Sequence, residues 1–360
     1  MSKLIVCTGT LSSGGAERVL SILSKSFADA FDEVEYVMWL DAKSGDVFYK
    51  IDSRVKIIRL CKACGSTNIL KRSWWFRKHI IAQKPDIVLS FMVMINFSVI
   101  ASLIGTGVKI IAAERNDPKF FHHGKILRYM INKSYMLNNV KGILMQTEKN
   151  RSYFTSNKLY NKTSVICNPI SMPKEIVGSA LKVGKKDIIV SVGRLTKQKQ
   201  QNVMINAFAK FHTKYPNYKL IIYGEGDLRT ELEKQIETMN LKDSVLLPGR
   251  TDDVFNKMQS ARMFVLTSRY EGMSNSLLEA MCLGLPCIST EVSGATEVIN
   301  SGYNGYLVNI DNDSGVASIM EEIACNAVLA KNIGQNATRI YRNMSVNVIA
   351  KQWINYLKSQ

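Results

Sequence analysis

The sequence lacks an apolar run long enough to cross a membrane. Its most apolar stretch, residues 91–104, is interrupted by Asn96, Ser98 and Ser102 and falls short of the ~20 apolar residues that a transmembrane helix needs. Residues 1–7 carry too short an apolar run for a signal peptide and lead directly into a strand pattern. We therefore expect a cytoplasmic protein in which the apolar stretch forms a buried helix.

Cysteine is scarce, and the sequence has no internal repeat or low-complexity segment. The seven cysteines are odd in number and scattered, which is typical of reduced thiols in the cytoplasm rather than of a disulfide framework. Cys61 and Cys64 have a metal-ligand spacing, but no second cysteine pair and no nearby histidine accompany them. We expect no metal site there.

Acidic residues are outnumbered, with 30 Asp and Glu against 47 Lys and Arg, a formal net charge of +17. The imbalance is uneven, because residues 1–180 hold 26 basic and 13 acidic side chains whereas residues 181–360 hold 21 and 17. The first half therefore predicts an acidic partner: nucleic acid, an anionic membrane surface or a phosphorylated substrate. Composition does not choose among them, and no helix-turn-helix, RNA-binding or zinc-finger pattern supports nucleic acid.

Strand and helix patterns alternate along the chain. Apolar runs at residues 4–7 and 188–192 are each followed by a loop and an amphipathic helix, at residues 16–30 and 202–215. Such alternation predicts parallel sheets, and 360 residues are enough for two domains. The expected division is an N-terminal domain at 1–170, a hinge at 171–187, a C-terminal domain at 188–343 and a last helix at 344–360.

Two strand-to-helix loops carry residues suited to phosphate groups. Gly14-Gly15 follows the first strand, where paired glycines let backbone approach a ligand closely, although such pairs often mark a simple turn. Gly193 and Arg194 follow the first strand of the second domain, with Lys199 shortly after. These two cations would face phosphates, whereas the other interpretation is a solvated loop.

A third loop leads into a short predicted helix that has carboxylates on either side of its start. Glu271 precedes this helix, Glu279 lies within it, and a helix N-terminus favours an anion through its N–H groups and partial positive charge. Anion-binding backbone beside two carboxylates indicates a sugar nucleotide. One alternative stays open, since residues 276–279 also read as a capping box in which the glutamate only satisfies a backbone N–H.

The Glu-x7-Glu spacing, with Gly272 after the first glutamate, resembles the signature of retaining glycosyltransferases of family 4. Other segments match that family in order along nearly the whole chain: Gly14-Gly15-Ala16-Glu17-Arg18, Val192-Gly193-Arg194 with Lys199, Tyr223-Gly224-Glu225-Gly226, and Ser293-Gly294 with Glu297. The resemblance implies the α/β fold called GT-B, with two Rossmann-like doubly wound domains that face each other across a cleft. It also implies that the last helix crosses back onto the first domain.

The resemblance implies a role for each matching residue. Arg194 and Lys199 would bind the donor diphosphate and stabilise the leaving group, and Glu271 would contact the transferred sugar. The implied donor-binding residues, with Glu279 at the nucleotide ribose, are Gly14, Gly15, Gly193, Arg250, Gly272, Met273, Ser274, Asn275, Leu278 and Glu279. No metal cofactor is expected, because protein cations and a helix N-terminus can offset the diphosphate charge.

Acceptor-side candidates lie in the basic first half. Arg115 follows a predicted strand near a point where many relatives have a histidine. An arginine cannot act as a base at neutral pH, so Arg115 would bind an anion or a sugar hydroxyl. His122 and His123 are as consistent with surface positions as with ligands.

Two basic segments with aromatic residues add further candidates. Their cations are Lys71, Arg72, Arg77, Lys78, Lys125 and Arg128, followed by Lys133. With Trp74, Trp75, Phe120 and Phe121, these segments predict contact with lipid headgroups. In the other interpretation, the aromatic rings face the core and the cations face water.

Together with these features, the resemblance implies transfer of a sugar, with retained configuration, from a nucleotide sugar to a lipid-diphosphate-linked saccharide. The donor would be a UDP-hexose or UDP-N-acetylhexosamine, and the pathway cell-surface polysaccharide or glycan biosynthesis. The enzyme would bind peripherally to the anionic cytoplasmic face of the inner membrane and would not bind nucleic acid. Two alternatives remain: a UDP-sugar 2-epimerase on the same fold, and a basic nucleic-acid-binding protein.

Overall fold

The computed structural model describes residues 2–12, 14–40, 47–121, 124–251 and 253–360, except for the side chain of Phe121. The chain divides into two compact units. The first comprises Met1–Ser171 together with Val346–Gln360, and the second comprises Met172–Ser345. Each unit holds one parallel sheet connected by helices, so the predicted α/β class is confirmed.

The sheet of the first unit has seven strands in the described part of the chain. They are β1 (Lys3–Thr8), β2 (Glu33–Met38), β3 (Lys56–Arg59), β4 (Ile87–Phe91), β5 (Ile110–Ala113), β6 (Val140–Met145) and β7 (Thr163–Val165). Their spatial order is β3-β2-β1-β4-β5-β6-β7, and every neighbouring pair is parallel. The strand order reverses its direction of growth between β1 and β4.

The sheet of the second unit has six strands over the described residues. They are β8 (Ile188–Val192), β9 (Lys219–Tyr223), β10 (Val245–Gly249), β11 (Met263–Leu266), β12 (Cys287–Thr290) and β13 (Tyr306–Val308). Their order is β10-β9-β8-β11-β12-β13, again parallel throughout. This sheet reverses between β8 and β11. In open parallel sheets, ligands bind at the carboxyl ends of the strands that flank such a reversal.

Helices connect the strands in both units. In the first unit they are α1 (Gly15–Ala30), α2 (Leu60–Cys64), α3 (Ile69–Gln83), α4 (Val93–Ser102), α5 (Pro118–Phe121), α6 (Lys125–Tyr135), α7 (Glu148–Arg151) and α8 (Asn157–Tyr160). In the second they are α9 (Gln201–His212), α10 (Arg229–Thr238), α11 (Val254–Gln259), α12 (Asn275–Leu283), α13 (Ser293–Val298), α14 (Asp313–Cys325), α15 (Ala327–Ala337) and α16 (Tyr341–Met344). The last helix, α17 (Val346–Lys358), belongs to the first unit.

Alternation along β1 builds two hydrophobic layers in the first unit. Leu4 and Val6 pack into one cluster, and Ile5 and Cys7 pack into another on the opposite face of the sheet. All four side chains are fully buried. A parallel strand that is covered on both faces therefore forms a continuous apolar run in the sequence.

Helix α17 completes one of these layers. Its Trp353 is fully buried, stacks on Phe91 with ring centroids 5.6 Å apart, and meets Phe27 edge to face at 6.4 Å. Aromatic pairs in these geometries stabilise by about 0.5–1.5 kcal/mol beyond their buried area. This packing attaches the end of the chain to the end of β4.

Most predicted elements form at the expected positions, with small differences at their ends. The helix expected at 202–215 begins at Gln201 and ends at His212. The apolar stretch at 91–104 forms α4, as predicted. In the ranges that the structure describes, we find no helix with the length and apolar character needed to cross a bilayer.

Candidate active site

Glycines bring the turns after β8 and β9 into direct backbone contact. The N–H of Gly193 donates to the carbonyl of Tyr223 at 2.9 Å. A Cβ atom on Gly224 would lie only 1.9 Å from the carbonyl oxygen of Gly193, and Gly224 has a φ of +152°. No larger residue fits there. This contact fixes the backbone that carries Arg194 and Lys199.

Lys199 and Glu271 form an ion pair between the turn after β8 and the loop after β11. The Lys199 Nζ contacts Oε1 of Glu271, and that oxygen also accepts from the hydroxyl of Ser268 at 3.0 Å. The side chains of Lys199 and Glu271 are only 13% and 10% exposed. Two opposite charges that are shielded from water attract each other strongly, and the loss of either one leaves the other as an uncompensated buried charge.

Arg194, the third predicted catalytic residue, is exposed. Its carbonyl accepts from Nε2 of Gln201 at 2.8 Å, which holds the backbone of the turn. Across the described residues, the guanidinium of Arg194 has no hydrogen-bond or ion-pair partner. All its donors are therefore available to an anionic ligand.

The loop that carries Glu271 is held by the start of α13. The hydroxyl of Ser293 donates to the carbonyl of Glu271. A Cβ atom on Gly294 would lie 2.1 Å from the carbonyl oxygen of Gly272 and 2.7 Å from Cα of Met273. Backbone therefore touches backbone here, and the predicted donor-binding residues Gly272 and Met273 are buried.

Helix α12 begins at Asn275 with Ser274 as its N-cap residue. The third position of the helix is then a leucine, so the capping-box alternative for Glu279 is wrong: the helix starts two residues earlier than that motif requires. The hydroxyl of Ser276 instead donates to the carbonyl of Val192 at 2.9 Å. Glu279 lies in the second turn and is 3% exposed.

The start of α12 lies at the reversal between β8 and β11, next to the Lys199–Glu271 pair. Asn275 is half-buried and Ser274 is buried. The partial positive charge of a helix N-terminus therefore adds to the charge of Lys199 at this point. Leu278 is 1% exposed, so its side chain belongs to the core and only its backbone can serve the predicted donor contact.

Arg250, another predicted donor-binding residue, is exposed and follows β10. That strand is the outermost of its sheet, two strands from β8. Its charge faces Glu225, whose pKa is lowered chiefly by the hydrogen bond from Arg229 and to a lesser degree by Arg250. The structure thus places Arg250 away from the residues gathered around Glu271.

In the first unit, Gly14 and Gly15 connect β1 to α1, and a carboxylate lies against them. A Cβ atom on Gly14 would be 2.1 Å from Oε2 of Glu17. Oε1 of Glu17 accepts from the hydroxyl of Thr10 at 3.2 Å, and Glu17 is 8% exposed. A negative charge at this loop favours ligand hydroxyl and N–H groups over the phosphates that the sequence led us to expect.

Arg115 lies at the end of β5 and is 6% exposed. One nitrogen, Nη2, donates to Oδ1 of Asn168, which also accepts from Gln146 at 2.8 Å. Its guanidinium carbon is 5.4 Å from the ring centroid of Phe91 and 5.7 Å from that of Trp353. Nε and Nη1 have no partner in the described part of the molecule. Burial lowers the pKa of Arg115 to about 9, so it is still cationic at neutral pH.

Two cations of the basic aromatic segments bond to backbone carbonyls. Arg72 is buried and donates to the carbonyl of Trp39. Arg77 is half-buried, and its Nη1 donates to the carbonyls of Ser102 at 2.9 Å and Ile104 at 2.7 Å. Both guanidinium groups satisfy backbone carbonyls, so the prediction that Arg72 and Arg77 meet an acceptor or lipid is wrong.

The other basic residues of these segments are exposed on α3 and α6. Lys71 and Lys78 lie on α3, and Lys125, Arg128 and Lys133 lie on α6. Both helices pack against α4. His122 and His123 lie outside the described residues.

Apolar side chains are exposed on the same two helices. Ile69, Leu70 and Trp74 of α3 and Ile126, Tyr129 and Met130 of α6 are exposed, Leu70 and Ile126 by 76% and 78%. Trp75 is half-buried against His79, with ring centroids 4.9 Å apart. Of the aromatic residues that the sequence singled out, Trp74 is exposed and Phe120, like Trp75, is half-buried, whereas the side chain of Phe121 lies outside the described part.

Comparison with known proteins decides the family. The sequence profile of "Glycosyl transferases group 1" matches residues 160–340, which is half of the chain. The chain belongs to this glycosyltransferase family. The matched segment contains the turn after β8, the loop after β11 and helix α12, where Lys199 and Glu271 meet.

Relatives of this glycosyltransferase align over its full length. The GalNAc-α-(1→4)-GalNAc-α-(1→3)-diNAcBac-PP-undecaprenol α-1,4-N-acetyl-D-galactosaminyltransferase of Campylobacter jejuni is 26% identical, over 99% of this chain and 98% of the relative. The N-acetylgalactosamine-N,N'-diacetylbacillosaminyl-diphospho-undecaprenol 4-α-N-acetylgalactosaminyltransferase of that organism is 27% identical, over 99% and 100%. The crystal structure of Anabaena HepE in complex with UDP and glucose shares the fold, with a TM-score of 0.81 at 17% identity over both whole chains.

Sequence reasoning about the glycosyltransferase missed several residues that the structure gathers here. Ser268 and Ser293 hold the Glu271 loop, and Glu17 lies against Gly14. Glu17 stood inside a quoted family segment, so its position in the first turn of α1 was a usable signal. Ser293 also stood inside a quoted family segment, although only the fold shows that it holds the Glu271 loop. Ser268 lay outside every quoted segment.

The expectation of metal independence assumed that the sequence has no Asp-x-Asp ligand pair, which is wrong, because Asp311-Asn312-Asp313 is one. Asp311 is bound by Gln200 and Arg269, and Asp313 is bound by Lys210 at 2.9 Å. Within the described ranges, no group of three or more His, Cys, Asp and Glu side chains is placed to hold a metal ion. Metal independence of the glycosyltransferase stays a prediction.

Proposed function

We propose that this glycosyltransferase moves a hexose or N-acetylhexosamine from a UDP-sugar to a saccharide carried on a lipid diphosphate, with retention of configuration. The observation that carries the proposal is the buried Lys199–Glu271 pair at the reversal of the second sheet, beside Arg194 and the start of α12. Anabaena HepE, which shares the fold, was crystallised with UDP and glucose, and the two Campylobacter jejuni relatives are named for saccharides on diphospho-undecaprenol.

Protein cations would take the place of a metal ion at the donor diphosphate. Arg194 has its whole guanidinium available, and Lys199 lies next to a helix N-terminus. Preorganised positive charge of this kind stabilises a leaving diphosphate without Mg²⁺. The leaving phosphate would take the proton of the acceptor hydroxyl, so no protein base is required.

The two glutamates would bind the donor rather than serve as an acid and base. Glu271 would contact the transferred sugar while Lys199, its partner in this structure, turns its positive charge toward the diphosphate. Glu279, whose buried carboxylate lies in the second turn of α12, would accept from the nucleotide ribose. Arg115 would meet an anionic or hydroxyl group of the acceptor.

The acceptor's lipid implies that the enzyme works at a membrane surface. We define the docking face by the exposed residues of α3 and α6: Ile69, Leu70, Lys71, Trp74, Lys78, Lys125, Ile126, Arg128, Tyr129, Met130 and Lys133. Both helices expose apolar and cationic side chains, and Lys78 Nζ lies 3.8 Å from the ring centroid of Trp74. Such a mixture fits the headgroup layer of an anionic leaflet.

The electrostatic attraction between the docking face and an anionic membrane depends on the number of its exposed cations. Five cations remain after Arg72 and Arg77 are removed, and each contributes ~1 kcal/mol near an anionic membrane. Half of that sum, with a few inserted apolar side chains, gives reversible rather than permanent binding. We therefore propose a peripheral enzyme at the cytoplasmic membrane surface.

A donor panel with and without lipid acceptor tests the transfer proposal. Purified protein would be incubated with UDP- and GDP-sugars, and nucleotide release would be followed in the presence and absence of a diphospho-polyprenol-linked saccharide. Release of UDP that depends on the acceptor supports transfer. Donor consumption without acceptor and without UDP release would instead support the 2-epimerase, and turnover of GDP-sugars alone would overturn the choice of base.

A further inference from the structure

Gln200 and Asp311, two residues of the second unit, occupy backbone conformations that glycine adopts readily and other residues rarely do. Their φ angles are +48° and +64°, both in the left-handed region. Gln200 directly precedes α9 and is 7% exposed, and Asp311 lies in the loop between β13 and α14. Strain of this kind persists only where the surrounding structure compensates for it.

The compensation is a contact between the two side chains, 111 residues apart in the sequence. Nε2 of Gln200 donates to Oδ1 of Asp311, and Oδ2 of Asp311 accepts from Nη2 of Arg269 at 3.1 Å. Gln200 follows Lys199 directly, and Arg269 precedes Glu271 by two residues. One carboxylate therefore connects the neighbours of both members of the buried ion pair.

Other bonds tie the same two segments to each other. The N–H of Arg269 donates to the carbonyl of Gln198 at 2.8 Å, and Nε2 of Gln198 donates to the carbonyl of Tyr270 at 2.9 Å. The hydroxyl of Thr267 donates to the carbonyl of Gln200 at 2.9 Å. Asp311 adds a third segment, the loop after β13, to this framework.

We propose that Asp311 is a positioning residue, which holds Lys199 and Glu271 in place through Gln200 and Arg269. The inference rests on the functions proposed above for Lys199 and Glu271. Asp311 bonds to neither of them, so its effect on turnover is indirect. Small displacements of catalytic groups lower turnover far more than they lower binding.

Stability alone does not account for the arrangement. The side chains of Arg269 and Asp311 are 55% and 52% exposed, and exposed ion pairs contribute little to folding. The φ angles of Gln200 and Asp311 oppose folding, since glycine would adopt both without strain. Removing both side chains should therefore change the geometry of the site more than the stability of the fold.

The double variant Gln200→Gly/Asp311→Gly tests the proposal. It removes the backbone strain at both positions, so we expect a thermal midpoint within a few degrees of the original. It also removes the contacts of Asp311 with Gln200 and Arg269, so we expect a kcat lower by on the order of tenfold. KM for the UDP-sugar and the Kd for UDP should change by less than about threefold, because the binding groups remain. An unchanged kcat would overturn the proposal.

Two single variants distinguish an effect on the position of Lys199 and Glu271 from a general loss of rigidity in the second unit. Asp313→Asn breaks the ion pair of Asp313 with Lys210, which also joins α9 to α14 but lies away from the site, and it should leave kcat unchanged. In Asp311→Asn, the new side chain accepts the left-handed backbone and can still accept from Gln200, but it has no charge to pair with Arg269. Its kcat should therefore lie between those of the original protein and the double variant. Equal losses in Asp313→Asn and the double variant would contradict positioning.

Hydrogen exchange provides a readout that needs no substrate. In the double variant, backbone amides of the loop between β11 and α12 should exchange faster than in the original protein, whereas those of β11 itself should not. If the original protein turned over no UDP-sugar, the proposed function would fail while this exchange result could still stand. Unchanged exchange in that loop would overturn the positioning role even if the enzyme were active.

Discussion

Lys199 and Glu271, 72 residues apart in the sequence, meet as a buried ion pair where the second sheet reverses its strand order. Arg194 lies on the same turn as Lys199 but is exposed and has no side-chain partner in the described part of the chain. The two cations therefore differ in what their removal does to the fold, although both would face the donor diphosphate.

We expect Arg194→Ala and Lys199→Ala each to lower kcat by on the order of 10²–10³, the usual effect of removing one charge-stabilising group. Their thermal midpoints should differ. Arg194→Ala should unfold like the original protein, whereas Lys199→Ala leaves a buried carboxylate unpaired and should lose about 3 kcal/mol of folding free energy. Steady-state kinetics and thermal unfolding of both variants check this.

The double variant Lys199→Ala/Glu271→Gln supplies the control. It removes the unpaired charge, so it should regain most of the lost stability but none of the activity. Near-normal kcat in Arg194→Ala or Lys199→Ala would exclude that residue from catalysis. Equal thermal midpoints for these two single variants would contradict the buried pair.

Glu279→Gln should weaken UDP binding without changing the fold. The buried carboxylate would accept from the ribose, and an amide of the same size is a weaker, uncharged partner for a hydroxyl donor. We expect a loss of about tenfold in affinity, measured by calorimetric titration of UDP. Glu297→Gln, an exposed glutamate on α13, is the matched control and should bind like the original protein; equal affinities for the two variants would remove Glu279 from the donor site.

Arg115→Met should lower transfer to acceptor without lowering stability. Burial lowers the pKa of Arg115 to about 9, well below its ordinary value, so below pH 9 the fold bears the full cost of burying the charge, and that cost is relieved as pH rises above 9. A similar apolar side chain avoids this cost at pH 7. A thermal midpoint at least equal to the original, with a higher acceptor KM or lower kcat, is expected.

The opposite result would assign Arg115 to the packing of the fold and not to the acceptor. A large drop in thermal midpoint for Arg115→Met, with unchanged acceptor kinetics, would show that the guanidinium serves the packing against Phe91 and Trp353. Measuring both quantities at pH 7 and pH 9.5 separates the cases, since only the original protein should gain stability over that interval from this residue.

The docking face should bind anionic liposomes in a salt-dependent way. Its electrostatic part fades as the Debye length falls from ~10 Å at 0.1 M to ~3 Å at 1 M salt. We expect co-sedimentation with anionic vesicles at low salt, weaker binding at 1 M, and little binding to neutral vesicles. The reversal Lys71→Glu/Lys125→Glu should abolish it, whereas Lys234→Glu/Lys257→Glu, on exposed helix positions of the second unit, should not.

The apolar part of the docking face has its own test. Leu70→Ser/Ile126→Ser changes two side chains that are at least three-quarters exposed, so folding should survive. Binding should weaken at all salt concentrations, because burial of each side chain in the headgroup layer is lost. If the original protein stays in solution with anionic vesicles at low salt, the cations of this face must serve the acceptor's phosphates instead.

Local patterns in the sequence predicted the strands and loops of both sheets, because buried parallel strands are apolar along their whole length. Arg72 shows where this reasoning fails: on α3 the arginine points inward to the carbonyl of Trp39, while Leu70 and Trp74 point outward. A helix whose hydrophobic pattern is interrupted in this way does not reveal its buried face. Only the packing of α3 against its own sheet decides it.

The sequence alone also did not predict which side chains of distant loops contact each other in the candidate site. Lys199 and Glu271 were both singled out, but their contact depends on β8 and β11 being neighbours, which the order of strands along the chain does not state. The bond between Gln200 and Asp311 depends further on two unusual backbone angles. Residue types at single positions predict chemistry, whereas contacts between loops require the folded sheet.

Retaining transfer without a metal ion is the central claim, and one measurement tests it most directly. Purified protein, a UDP-sugar and a diphospho-polyprenol-linked saccharide would react in the presence of EDTA, and proton NMR would report the anomeric configuration of the first product formed. We predict UDP release at an undiminished rate and a product with the configuration of the donor. An inverted product, or activity that EDTA abolishes and Mg²⁺ restores, would contradict the account.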